Sequence, residues 1–205
     1  KVNFTQKVNS SLVNDLGNLI QRSSTMIIKH CDGYVPSIMP PGAEWQGDML
    51  GSAVGSALTD RDLELLGSVS ASIRNIYAFL DSYQLYQIIE ELSMLNRRGN
   101  KYFDTEAPWT IVKKLKHIQS DGTNSLSESE KERLIKQNKQ RLYTILYVIT
   151  EYIRCVTVLT SPVIPSSCDE VLDMYNIPIE LRGLESIPGK TELLGPPPTF
   201  SDTTN

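Results

Sequence analysis

Residues 127–160 read SESEKERLIKQNKQRLYTILYVITEYIRCVTVLT. Ser127 stands three residues ahead of Glu130, the spacing at which a serine and a glutamate cap a helix start reciprocally. Behind that start, Leu134, Leu142, Ile145, Leu146, Ile149, Ile153, Val156 and Leu159 recur at three- and four-residue steps, the period of an α-helix. Pro162 and Pro165 stop it, because neither has a backbone N–H to continue the ladder. The spacing therefore predicts a helix to about Thr160. Its most lipid-like part, Leu142 to Thr160, carries Glu151 and Arg154 near its middle, which argues against a membrane span.

The same period governs the residues upstream. Phe4, Val8, Leu12, Leu16, Leu19, Ile20 and Ile27 predict a first helix over roughly 4–30. Asp32-Gly33 and the stretch to Thr59, with Pro36, Pro40 and Pro41, then read as a long surface connection. Thr59 and Asp60 provide an N-cap for a second helix of about 60–80, carried by Leu63, Leu66, Val69, Ile73, Ile76, Tyr77 and Leu80. Ser82 precedes a third, with Leu85, Ile88, Ile89, Leu92 and Leu95, which Pro108 interrupts. A short helix from Trp109 to about Lys116 follows, then a polar loop over 119–129 that reads as an insertion. Beyond the long helix comes a short one from about Ser167 to Tyr175. Apart from β-like stretches such as Ile177 to Ile179 no strand is legible, and the expected architecture is an all-α helix bundle. The expected division is a helical domain over 1–176 and a Pro/Gly-rich tail over 177–205, packed on the bundle or trailing from it.

Composition sets the bounds. At 205 residues, 40% hydrophobic and 21% charged, the chain can bury a core and is too apolar to be disordered. Cys31, Cys155 and Cys168 have no paired spacing, so neither a disulfide framework nor a zinc ribbon is expected, and a reducing compartment fits. The chain begins at Lys1, with no signal-like segment after it, so a piece of a longer protein is expected. The net charge of -4 hides an asymmetry: Leu95 to Arg141 holds 11 of the 20 basic residues and 6 of the 24 acids. A basic middle between acidic flanks can guide an anionic ligand to one region.

Catalytic chemistry is not legible. With only His30 and His117, histidine-based sites are nearly excluded, and neighbouring helical residues such as His30-Cys31 point apart. Glu90-Glu91 diverge in the same way and read as a solvated face. GLESIPGKT, residues 183–191, has five residues between its glycines where a phosphate loop needs four, and no strand precedes it. No catalytic residue, metal ligand or cofactor is expected in these 205 residues.

Two stretches are more specific. In NDLGNLIQRSSTMI, residues 14–27, Asn14, Asn18 and Arg22 share one helix face, away from the Leu12, Leu16, Leu19 stripe. Asn offers an amide donor and acceptor and Arg a planar fork of donors, suited to the edge of an unstacked base. In NKYFDTEAPW, residues 100–109, Pro108 fixes the backbone ahead of Trp109, an indole on which a base could stack. Lys113, Lys114 and Lys116 follow as candidate phosphate neutralisers.

Together these stretches resemble the C-terminal, helical anticodon-binding domain of class I aminoacyl-tRNA synthetases, most closely that of the methionyl-tRNA synthetase family. The first is similar to its Leu-Gly-Asn helix and the second to its Asn-Lys-Tyr and Pro-Trp signature. Arg154 to Pro165 resembles its late helix, and the similarity spans about Phe4 to Tyr175. The resemblance implies an α-helix bundle that binds the CAU anticodon loop of tRNA(Met), with Asn18, Arg22 and Trp109 recognising the first anticodon base, cytosine. Asn14 is added by helical spacing alone. Gln21 replaces the family's usual Asn before the Arg, and the tail lacks its Leu-Phe-Pro ending. The family's HIGH-like and KMSKS-like motifs are absent. ATP and methionine would thus bind a catalytic domain elsewhere in the full-length ligase, and these residues alone would bind RNA without activating methionine. The setting implied is the cytoplasm or an organellar matrix. The rival readings are the corresponding domain of the Ile, Val, Leu or Cys enzymes, and a helical protein-interaction module that binds no RNA.

Overall fold

The structure is a computed structural model that describes residues 13–36, 58–120 and 127–187. Phe4, Val8, Leu12, most of the long connection, the centre of the insertion and the tail beyond Ile187 lie outside the described residues. The elements are α1 (Asn14–His30), α2 (Asp60–Asp81), α3 (Leu85–Glu106), α4 (Pro108–Gln119), α5 (Glu128–Thr160) and α6 (Pro165–Met174), followed by 3-10 turns at Ile179–Leu181 and Leu184–Ser186. No strand occurs among the described residues, so Ile177 to Ile179 is not β. The chain is an all-α bundle.

The long helix α5 organises it and packs against every other helix. Its first half is polar and largely exposed. From Leu142 to Thr160 every residue but Tyr143 is buried, so this half of the helix is surrounded on all sides. By length and composition it could cross a membrane, but 94% of its apolar window is covered by the bundle. The capping box is present at its start, with the Ser127 amide donating to Glu130 Oε2 at 2.9 Å. Three threonines buried along its wall donate to carbonyls one turn back, Thr144 to Gln140, Thr150 to Leu146 and Thr160 to Val156, so burial leaves these hydroxyls satisfied.

Two readings of the surface are corrected. On α2, Leu63, Tyr77 and Leu80 are exposed and Leu65 is buried instead; past Ser72 no residue of the helix is fully buried as it nears the α2–α3 turn, while Leu63 lies off the buried face of its first turns. Glu91 is not on a solvated face. It is buried and accepts hydrogen bonds from Ser72 Oγ at 2.6 Å and Asn75 Nδ2 at 3.3 Å, tying α3 to α2. Past α6, Ile177 and Ile187 enter the core. Arg154 holds this segment: paired with Glu151 at 2.6 Å, it also donates to the carbonyls of Leu181 and Ser186.

Candidate nucleic-acid interface

Helix α1 lies alongside α3, and Gly99 makes the contact close. A Cβ there would stand 2.6 Å from Leu19 Cδ2 and 2.9 Å from Tyr152 Cε1, so only glycine lets the two helices approach this far. The close approach brings two polar ladders into register. Asn18 Nδ2 donates to Asn100 Oδ1 at 2.9 Å, and one turn on Arg22 Nη2 donates to Asp104 Oδ1 at 2.5 Å. Asn100 is itself fixed, its own amide donating to the carbonyls of Asp15 and Asn96 at 2.9 and 3.0 Å. With its nitrogen turned to Asn100, Asn18 presents an amide oxygen that takes no partner among the described residues. A groove of about 520 Å³ opens along this seam, lined by Asp15, Asn18, Arg22, Arg97, Asn100 and Lys101, with Asp104 and Thr105.

The far end of the groove is made by the α3–α4 junction. Ala107 adopts φ +43°, a left-handed conformation that a β-carbon disfavours, and Pro108 then opens α4 at its first position. This sharp turn folds Trp109 back against Phe103, the rings 6.0 Å apart and inclined by 66°. The guanidinium of Arg22 lies over both rings, 5.2 Å from the Phe103 centroid and 5.4 Å from the Trp109 centroid. Trp109 is half-buried at the core's edge. It lies in the first turn of α4 and does not line the groove, to which it is joined through Arg22.

The remaining predicted residues are placed differently. Asn14 is exposed at the first position of α1 and does not line the groove. Lys113, Lys114 and Lys116 are all exposed on α4, but they do not form one cluster. At 3.6 residues per turn, Lys113 and Lys116 follow Trp109 along its own side, whereas Lys114 is turned about 140° from it. His30, at the end of α1, sits near Lys116, and partial burial together with the positive charges of Lys116 and Lys29 lowers its pKa below the usual imidazole value. Sequence reasoning missed Asn100, Phe103 and Asp104. They fall within the stretch 100–109 already singled out, and Asn100 and Asp104 repeat the four-residue step of Asn18 and Arg22. No group of three or more His, Cys, Asp or Glu side chains that could hold a metal occurs among the described residues.

No family model matches the chain. It is 28% identical over 202 residues to the methionine–tRNA ligase of Brucella suis, covering 96% of this chain and 32% of that one. To the Mycobacterium bovis ligase it is 30% identical over 198 residues, covering 94% and 31%. Nearly the whole chain is thus similar to a part of these methionine–tRNA ligases. In structure it is similar to Mycobacterium tuberculosis methionyl-tRNA synthetase bound by methionyl-adenylate, with a TM-score of 0.66 at 26% identity, covering 98% of this chain and 32% of that one. It thus spans about a third of the length of the methionine–tRNA ligases it matches.

Proposed function

We propose that this chain binds the CAU anticodon loop of tRNA(Met) as the anticodon-binding domain of a methionine–tRNA ligase. What supports the reading is one observation: Asn18 and Arg22 project from consecutive turns of α1 into a single groove that ends at the edge of a half-exposed indole. The donor and acceptor pattern there suits cytosine. The free amide oxygen of Asn18 accepts from the exocyclic amino group, and the N–H groups of Arg22 not used by Asp104 donate to the ring acceptors beside it. Uracil presents an acceptor where cytosine presents the amino group, so the same pair disfavours it. Trp109 serves twice, as a face for the base and as the seat of the Arg22 guanidinium. Lys113 and Lys116 meet the phosphates that follow the base, with Lys114 contributing at longer range. In the full-length ligase this recognition positions the acceptor end of the tRNA at the catalytic domain, which supplies ATP and methionine chemistry in cytoplasmic translation.

The test is Trp109→Ala, read by fluorescence anisotropy with a labelled CAU stem-loop. Loss of a stacked base costs about 1–3 kcal/mol, so binding should weaken roughly tenfold or more. An affinity within twofold of wild type removes Trp109 from the site.

A further inference from the structure

Helix α3 presents a second groove on its other flank. Counting about 100° per residue, Arg97, Asn100 and Asp104 lean toward α1, Arg98 and Thr105 lean toward α2, and Lys101 stands on the crest between them. Lys101 and Thr105 accordingly line both grooves. The α2–α3 groove, about 540 Å³, is lined by Arg61, Glu64, Ser68, Arg98, Lys101 and Thr105 over a floor of Leu65, Ala71 and Tyr102. Three cations thus converge on one concavity from two helices, against a single acid.

These cations are poorly neutralised. Arg98 and Lys101 are exposed and make no ion pair among the described residues, and Arg61, 66% exposed, reaches Glu106 only at 3.4 Å. A solvated helix face scatters its charges. Here Arg98 and Lys101 lie one turn apart on one helix and face Arg61 across a gap, an arrangement that repels itself unless an anion lies between. The α1–α3 groove is better matched, its Arg22, Arg97 and Lys101 set against Asp15 and Asp104, with Arg22 paired to Asp104.

We propose that the α2–α3 groove holds the phosphodiester backbone of the RNA strand whose bases are read across the Lys101 crest, with Arg98 and Lys101 as the main phosphate donors and Arg61 as the third. This rests on the anticodon-binding reading and divides its labour: the groove with more acid among its lining reads base edges, and the one with less takes phosphates.

The experiment uses the whole chain and the double variant Arg61→Gln/Arg98→Gln, two positions that line the α2–α3 groove and not the α1–α3 one, titrated with a CAU stem-loop and a GAU stem-loop at several salt concentrations. Both positions are exposed, so the melting temperature should not move. Affinity for both loops should fall about tenfold at moderate salt. The slope of log K against log salt should shrink by about one to two, and the preference for CAU should stay as in wild type. Unchanged affinity and slope overturn the proposal. So does a collapse of the CAU preference at constant slope, which assigns these side chains to base reading. If inorganic phosphate binding is lost while RNA binding is intact, the groove belongs to a free phosphate and the proposal fails. A wild-type chain that binds both loops alike sinks the anticodon reading, and the slope alone then decides the groove. If neither loop binds wild type, both ideas fall.

Discussion

Asn100 shows how one side chain decides what another can say. Both hydrogens of its amide are used on backbone carbonyls, so its oxygen can only point at Asn18, and Asn18 must then offer its own oxygen to the groove. In Asn100→Ala two backbone hydrogen bonds go, at about 1 kcal/mol each, and Asn18 becomes free to turn either end outward. The expected result is a lower melting temperature, a several-fold smaller preference for a CAU over a UAU stem-loop, and an unaltered salt slope. Equal preference in variant and wild type, measured by anisotropy, would show that Asn100 does not orient the reader. The readers proposed on α1 stand out in the sequence because Asn18 and Arg22 repeat at four residues. Their partners were not, since each lies 82 residues away and only the packing of α1 on α3 pairs them.

Among the elements, α3 carries the largest share of the site, since both grooves use its flanks and its end sets the angle of Trp109. Its seat depends on Gly99. Alanine is favoured over glycine inside a helix by about 1 kcal/mol, so Gly99→Ala in open space would stabilise. Here the added methyl meets Leu19 and Tyr152, both fully buried, and overpacking of this kind costs about 1–3 kcal/mol. The expected net effect is destabilisation by thermal melting, with weaker stem-loop binding as α1 is pushed from α3. A rise in melting temperature would mean that the two helices can part without cost. The sequence marked the described ends of these helices to within a few residues, because caps, prolines and apolar period are local signals; the expected start of α1 near Phe4 lies outside the described residues. It misjudged the exposed half of α2 and buried Glu91, whose surroundings depend on which neighbours reach them. The entry of Ile177 and Ile187 into the core was equally hidden, since two 3-10 turns show no period.

Across the whole molecule, three helices are bolted together at the first turn of α2 by ionised groups taken largely out of water. Asp62, fully buried, accepts from both terminal nitrogens of Arg141 on α5 at 2.6 and 3.0 Å, from the Tyr102 hydroxyl of α3 at 2.6 Å and from the Thr59 amide at 2.8 Å, while Arg141 also pairs with Glu106 at 2.7 Å. Burial alone would raise the Asp62 pKa, but the hydrogen bonds from Arg141, Tyr102 and Thr59 outweigh it and hold the carboxyl below its ordinary value. A carboxyl depressed on folding adds stability above its unfolded pKa of about 3.9, and that contribution is lost as pH falls through the lower folded value. Wild type should therefore lose melting temperature steadily between about pH 5 and pH 3. In Asp62→Asn the neutral amide leaves Arg141 with Glu106 alone. Breaking a buried pair costs roughly 3–5 kcal/mol, and the lower end is expected because a quarter of the Arg141 side chain still meets water. The variant should thus melt lower at pH 7 and lose less on acidification, so that the two curves converge toward pH 3. Parallel curves over that range would place the acid sensitivity in other carboxylates, and the bolt at Asp62 would then act through shape rather than through charge.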